Sequence, residues 1–266
     1  MSPAGAADTL GPRSNALQHL RRLSGRRRAR RDAGEFVIDG PTLVREALVS
    51  PISVRVVYAE PDAPHDVRAA ADAAGIPVRS VSAGALAKAT SPVTPQPVAA
   101  VASIPDAPTV DALGGVVLVL VGVSDPGNAG TLVRVAEASG AAAVVSCADA
   151  VDPWNPKCVR ASAGSVFRVP VVEMGSYVDC VAALRRRGMR VIATDLAGDA
   201  SYTDVDFSGD VAVLLGHEAH GLPDGGSCAD VVTTIPMAGA VESLNVAMTG
   251  AVLAFEAARQ CRERPG

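Results

Sequence analysis

Apolar positions along the chain follow two rhythms. From Val116 the stretch VVLVLVGV is continuously apolar and stops at Ser124-Asp125-Pro126. Bounded runs of this kind read as strands buried on both faces. AAVVSC, MRVIATDL, VAVLLG and DVVTTIPM repeat the pattern. Between them, NAGTLVRVAEASG, YVDCVAALRRRG and SLNVAMTGAVLAFEAARQ read as helices, and CVRASAGSVFRVPVV as a helix running into a strand. Apolar strands joined by crossover helices predict an α/β fold with a parallel sheet covered on both faces.

The first part of the chain alternates differently. FVI predicts a strand, and a helix follows from about Pro41, where proline is tolerated and Thr42 can serve a free N–H. SVRVVYAE is a strand, HDVRAAADAAG a helix ended by Gly75, IPVRSVS a strand and AGALAKAT a short helix. VAAVAS supplies a last strand. Together these describe a small α/β domain over residues 32–105. The stretch PVTPQPVAAVASIPDAPTV carries five prolines, and the boundary is expected between Pro105 and Asp111. The second domain then spans 112–266. The first fourteen residues, rich in Ala, Gly and Pro, read as mobile. QHLRRLSGRRRARRDAG reads as a short basic helix or arm, so residues 1–31 are expected to form a flexible basic arm.

Composition refines the picture. Hydrophobic residues make up 48% of the 266 and aromatics only 3%, so the core must be Val, Ala, Leu and Ile. The net charge is -4, yet seven arginines crowd one segment: Arg21, Arg22, Arg26, Arg27, Arg28, Arg30 and Arg31. Such a run serves either as a solvated face or as a set of phosphate contacts. The only two lysines are Lys88 and Lys157, which points to composition bias in the genome rather than to chemistry. Five cysteines without C-x-x-C spacing, and no signal peptide, suggest a reducing cytoplasm. The four histidines form no H-E-x-x-H, so no metal is expected. The longest apolar run is too short to cross a bilayer, so no membrane is expected.

Neither G-x-G-x-x-G nor G-x-x-x-x-G-K-[ST] occurs, which argues against a nicotinamide oxidoreductase or a P-loop enzyme. Parallel sheets bind ligands beyond the carboxyl ends of their strands. Three strand ends carry unusual polar sets. SDPGNAGTLVR offers a turn, with Asn128 as a helix cap and Arg134 further on. LLGHEAHGLP places Glu218 between His217 and His220 in a loop restricted by Gly221 and Pro223. IPMAGAVESLNVAMTG interrupts an apolar segment with Glu242, Ser243 and Asn245. Ser243 or Glu242 is expected to cap the helix there, leaving Asn245 in its first turn. Buried polar groups need partners, and these three lack an obvious one in sequence.

SDPGNAGTLVRVAEASGA, DPWNPKCVRASAGSVFRVPV, LLGHEAHGLP and IPMAGAVESLNVAMTGAVLAFEAAR, in this order, resemble the signature motifs of the SpoU/TrmH family of RNA ribose 2′-O-methyltransferases, within the SPOUT superfamily. The resemblance covers about Val116 to Arg259, and FVIDGPTLVREAL more weakly resembles the family's L30e-like substrate-binding module. It implies a C-terminal trefoil-knot domain binding S-adenosyl-L-methionine through Thr194, Leu214, Gly216, Ile235, Met237 and Leu244. It implies catalytic roles for Arg134, Asn128, Glu218, Ser243 and Asn245, with Arg160 and Ser162 adding RNA phosphate contacts beside the arginine run. It also implies a homodimer through the knotted domain, with Arg134 reaching the partner's pocket. His217 departs from a motif position that often holds a smaller or amide residue. The implied substrate is 23S ribosomal RNA. A tRNA target and a noncatalytic RNA-binding or assembly role are the alternatives, and the resemblance leaves open whether the methylation serves housekeeping or resistance to ribosome-directed antibiotics.

Overall fold

The computed structural model describes residues 9–90, 95–240 and 243–263. The expectations for residues 1–8, for Pro92 and for Glu242 lie outside them. The described chain divides into two compact units, one running to Pro105 and including Trp154–Arg160, the other made of the remainder.

The first unit opens with two helices. α1 (Asn15–Gly25) is capped by Ser14, whose Oγ accepts the Leu17 N–H, a contact worth about 1 kcal/mol. It buries Leu17, Leu20 and Leu23, spaced three residues apart, in a cluster with Val37, Tyr58 and Val101. α2 (Arg27–Ala33) follows. Residues 15–33 are therefore packed helices and not a flexible arm. The physical reason is that one face of the arginine-rich segment carries three leucines, and burying them holds the helix against the sheet.

β1 (Glu35–Asp39), α3 (Pro41–Leu48), β2 (Val54–Ala59), α4 (His65–Ala73), β3 (Val78–Ser80) and β4 (Val98–Ser103) complete this unit. The sheet order is β1-β4-β2-β3, with β4 antiparallel to both neighbours and β2 parallel to β3. The stretch expected as a helix over AGALAKAT is instead a turn. Glu60, nearly buried, accepts the N–H groups of Gly84 and Leu86 at 2.9 and 2.8 Å and holds it. Trp154 packs its ring 4.9 Å from that of Phe36.

The second unit is built on β5 (Val116–Leu120), α5 (Pro126–Ser139), β6 (Ala143–Ser146), α6 (Pro156–Ala161), β7 (Val171–Glu173), α7 (Tyr177–Arg186), β8 (Arg190–Thr194), β9 (Ala200–Ser201), β10 (Val211–Leu215), β11 (Val231–Thr234) and α8 (Val246–Glu263). Most of α6 groups with the first unit. Seven strands form one parallel sheet in the order β7-β6-β5-β10-β8-β11-β9. Every residue of β5 and β10 is buried, as their unbroken apolar runs require. The two-residue β9 has too little pattern to be read from sequence.

Order along this sheet reverses between β5 and β10. From β5 the chain proceeds outward to β6 and β7, whereas β8, β9, β10 and β11 lie on the other side. Such a switch opens a crevice at the carboxyl ends of the two central strands. α8 packs directly against α5. A Cβ on Gly250 would sit 2.3 Å from Leu132 Cδ2 and 3.0 Å from Leu215 Cδ1, so this helix comes as near as only glycine permits.

Candidate active site

The residues following β5 and those following β10 meet at the switch. Glu218 Oε2 accepts the Ser124 N–H and Oγ–H, both at 3.2 Å. Its Oε1 accepts the Asp125 N–H at 3.3 Å and the Asn128 Nδ2 amide at 2.9 Å. Asp125, rather than Asn128, caps α5, its Oδ1 accepting the Asn128 N–H at 2.9 Å. That leaves the Asn128 side chain free to point at the loop after β10. Partial burial pushes the Glu218 carboxyl up, but the Asn128 amide and the backbone N–H groups outweigh it and hold the pKa at about 2.

The network continues into the last helix. Asn245 Nδ2 donates to Asn128 Oδ1 at 2.9 Å, and Asn245 Oδ1 accepts the Ala247 N–H at 2.8 Å. Asn245 therefore caps α8, in place of the expected Ser243. Three segments distant in sequence are tied by one chain of hydrogen bonds, in which each amide can point only one way.

Beside this network lies a cavity of about 380 Å³. Four segments line it: Thr194 to Leu196 at the end of β8, Gly216 to Gly221 after β10, Thr233 to Ile235 with Met237 at the end of β11, and Ser243, Leu244 and Val246 with Thr249 and Leu253 at the start of α8. A Cβ on Gly216 would lie 2.4 Å from the Gly221 carbonyl carbon and 2.6 Å from the Leu222 nitrogen. Backbone cannot retreat as a side chain can, so any larger residue there would break the loop. His217 and Gly221 exchange two backbone hydrogen bonds at 2.9 Å, closing the loop on itself. His217 Nδ1 accepts the Ala219 N–H at 3.0 Å, and the His217 and His220 rings stack with centroids 4.8 Å apart.

Of the residues expected to bind the cofactor, Thr194, Gly216, Ile235, Met237 and Leu244 line the cavity. Leu214 does not. It is wholly buried in β10, and its carbonyl accepts the Thr194 hydroxyl at 3.1 Å. Ser243 lines the cavity. Arg134 is exposed on α5 and has no hydrogen bond or ion pair among the described residues. Ser124 is a member of the Glu218 network that the sequence did not single out, although its position just after the β5 run is the signal that could have found it.

The expected RNA contacts divide. Arg21, Arg22, Arg26, Arg28 and Arg31 are exposed on α1, α2 and their junction, and Arg27 is half-buried. Arg30 is 2% exposed, and its guanidinium donates to the Leu23 carbonyl at 2.5 Å. It joins the two helices and has no surface to offer a phosphate. Arg160 donates to Asp39 Oδ2 at 2.9 Å within the first unit, although burial pushes the Asp39 carboxyl up. Ser162 is wholly buried, which removes it from any surface contact.

Two family descriptions match the chain: the SpoU rRNA Methylase family over residues 115–255, and an MRM3-like substrate binding domain over residues 15–100. A 23S rRNA (guanosine(2553)-2′-O)-methyltransferase, RlmP, of Bacillus subtilis is 34% identical over 235 residues, covering 86% of this chain and 90% of that one. The SpoU methyltransferase AviRb of Streptomyces viridochromogenes, solved with AdoMet, superposes with a TM-score of 0.84 at 28% identity over 93% of this chain and 98% of that one. An AdoMet-bound rRNA methyltransferase of Sinorhizobium meliloti gives 0.80 at 30% identity over 92% and 95%. The matched residues span β5 to α8 and so include the Glu218 network and the glycine-lined cavity; the chain belongs to the SpoU rRNA methylase family.

Proposed function

We propose that this protein transfers a methyl group from S-adenosyl-L-methionine to a ribose 2′-oxygen of 23S ribosomal RNA. The observation carrying the reading is the adjacency of two features at the switch point. One is a cavity walled by a loop that closes tightly on itself at Gly216, and the other is the fixed network of Glu218, Asn128 and Asn245. The relative from Bacillus subtilis, which matches across both domains, supports ribosomal RNA as the substrate class.

The residues present fit the methyl donor. Ile235, Met237 and Leu244 give apolar contact for a purine, Gly216 lets backbone reach its edge, and Thr194 and Ser243 add polar contact. When bound, the donor supplies an electrophilic methyl on a positively charged sulfur. Arg134 acts on the RNA. Its guanidinium binds the phosphate beside the target and favours the developing 2′-alkoxide electrostatically, while the hydroxyl proton passes to solvent water. Glu218 accepts throughout and keeps the Asn128 amide turned so that Oδ1 faces Asn245. This arrangement holds the start of α5 and the start of α8 together, so the RNA and the donor meet in one orientation.

Three further features belong to this reading. The chain is threaded as a trefoil knot, a reading supported by the position of β11 between β8 and β9, two strands that the chain joins directly. There the Asp195 N–H donates to the Thr233 carbonyl at 3.0 Å, and a Cβ on Gly198 would lie 2.7 Å from the Thr233 carbonyl carbon. The protein is a homodimer through α8, where Met248 and Phe255, one helical face seven residues apart, are 51% and 47% exposed. Arg134 serves the partner's cavity. Finally, the exposed arginines of α1 and α2 contact RNA phosphates.

Methyl transfer from labelled S-adenosylmethionine to rRNA, followed by mapping of the modified ribose, tests the reading. The expected product is a single 2′-O-methylated nucleotide in 23S RNA. Folded protein that transfers no label to any ribosomal RNA would overturn it.

A further inference from the structure

Asp195 stands apart from the network just described, yet it lines the same cavity. Its backbone N–H is tied to the Thr233 carbonyl, and its Oδ1 accepts the Ala197 N–H at 2.9 Å. The carboxylate is thereby held in one orientation. Its Oδ2 lies 3.9 Å from the position a Cβ on Gly221 would take, across the cavity wall. Asp195 makes no ion pair among the described residues.

The surroundings leave that charge uncompensated. No lysine or arginine lines the cavity among the described residues. The second carboxylate in the lining, Glu218, already accepts from Ser124, Asp125 and Asn128. His217 Nδ1 accepts the Ala219 N–H. Within one protomer the described cavity lining therefore carries two carboxylates and no lysine or arginine of its own.

We propose that Asp195 makes the cavity selective for a cationic ligand, so that the sulfonium form of the methyl donor is held in preference to its neutral thioether product. The proposal rests on the functional reading above and adds a specificity determinant to it. The positive charge is present on sulfur before transfer and absent afterwards. An attraction that exists only before transfer favours exchange of spent product for fresh donor. Opposite charges in a partly solvated site interact strongly enough to change affinity by about fivefold to tenfold.

Calorimetric titration of the full chain with S-adenosylmethionine and with S-adenosylhomocysteine tests this. The variants are Asp195→Asn, which keeps an acceptor for the Ala197 N–H, and Asp195→Glu, which keeps the charge. Thermal melts confirm that each is folded. The wild type is expected to bind the sulfonium about tenfold more tightly than the thioether. Asp195→Asn should lose about fivefold to tenfold on the sulfonium alone, and Asp195→Glu should retain part of the preference. Equal weakening of both ligands in Asp195→Asn would mean contact with a part they share, and would overturn the proposal, as would no change in either. A wild type that binds neither ligand would overturn the cofactor assignment itself, a different result from a wild type that binds both equally.

Discussion

Asn245 donates its side-chain amide to Asn128 at 2.9 Å across 117 residues of chain. Because Asn128 gives its own amide hydrogen to Glu218, the orientation of both asparagines follows from one carboxylate. Replacing Asn128 by Asp would put a second carboxylate against Glu218 and leave the Asn245 amide as its sole donor. We expect turnover to fall by about two orders of magnitude, with cofactor affinity changed by less than about threefold. Single-turnover kinetics beside calorimetry separates the two quantities, and a loss confined to affinity would assign Asn128 to cofactor binding.

Arg134→Ala should lower turnover at least about 100-fold with little change in cofactor affinity, since its contribution is made to the transition state. A mixed dimer tests where it acts. Pairing an Arg134→Ala protomer with a Leu244→Glu protomer leaves one complete site only if the arginine serves the partner's cavity. Activity regained on mixing supports service in trans. None, with heterodimers present, places the arginine in its own subunit's site.

Glu218 sets a pH expectation. Its carboxyl, near 4.5 when unperturbed, is held at about 2 in the folded protein. A depressed value means that its stabilising contribution is full above about 4.5 and is lost as pH falls from there through about 2. The melting difference between the wild type and Glu218→Gln should therefore be constant near neutrality and shrink toward pH 2. A difference that changes between pH 6 and 8 would show that another group controls the loop.

Gly250→Ala pits two effects against each other. Alanine favours a helix interior by about 1 kcal/mol, but the added Cβ meets Leu132 at 2.3 Å in a fully buried position. Overpacking costs about 1–3 kcal/mol, so net destabilisation is expected. Chemical denaturation of the single variants and of Gly250→Ala with Leu132→Ala should show favourable coupling, because the smaller residue admits the new methyl. Strict additivity would mean that α5 and α8 can separate at no cost.

The arginines of α1 and α2 should split by burial. Replacing exposed Arg21, Arg22 and Arg26 with Gln should weaken RNA binding and flatten the fall of log affinity with log salt, by about 0.7–0.9 for each phosphate no longer neutralised. Arg30→Ala should instead lower the melting temperature, since the Leu23 carbonyl loses its buried donor. Filter binding across a salt series with parallel melts distinguishes them. An unchanged slope in the triple variant would return those arginines to a solvated face.

Strand and helix content was legible because local periodicity reports burial directly. The unbroken run at β5 could only be a strand covered on both sides, and the leucines of α1 carried helical spacing even where the arginines drew attention. Gly216, Glu218 and Asn128 were legible as motif residues. Their partnership was not, since hydrogen bonds between Ser124, Asn128, Glu218 and Asn245 join positions that only the strand order brings together. Which residue caps a helix was also undecided by sequence: Asp125 and Asn128 are both competent, and the demand of Glu218 for a donor separates their roles. The same holds for Arg30 and Arg31, adjacent and chemically alike. A seven-residue helix turns one toward the Leu23 carbonyl and the other toward solvent, because burial depends on which side the neighbouring helix lies.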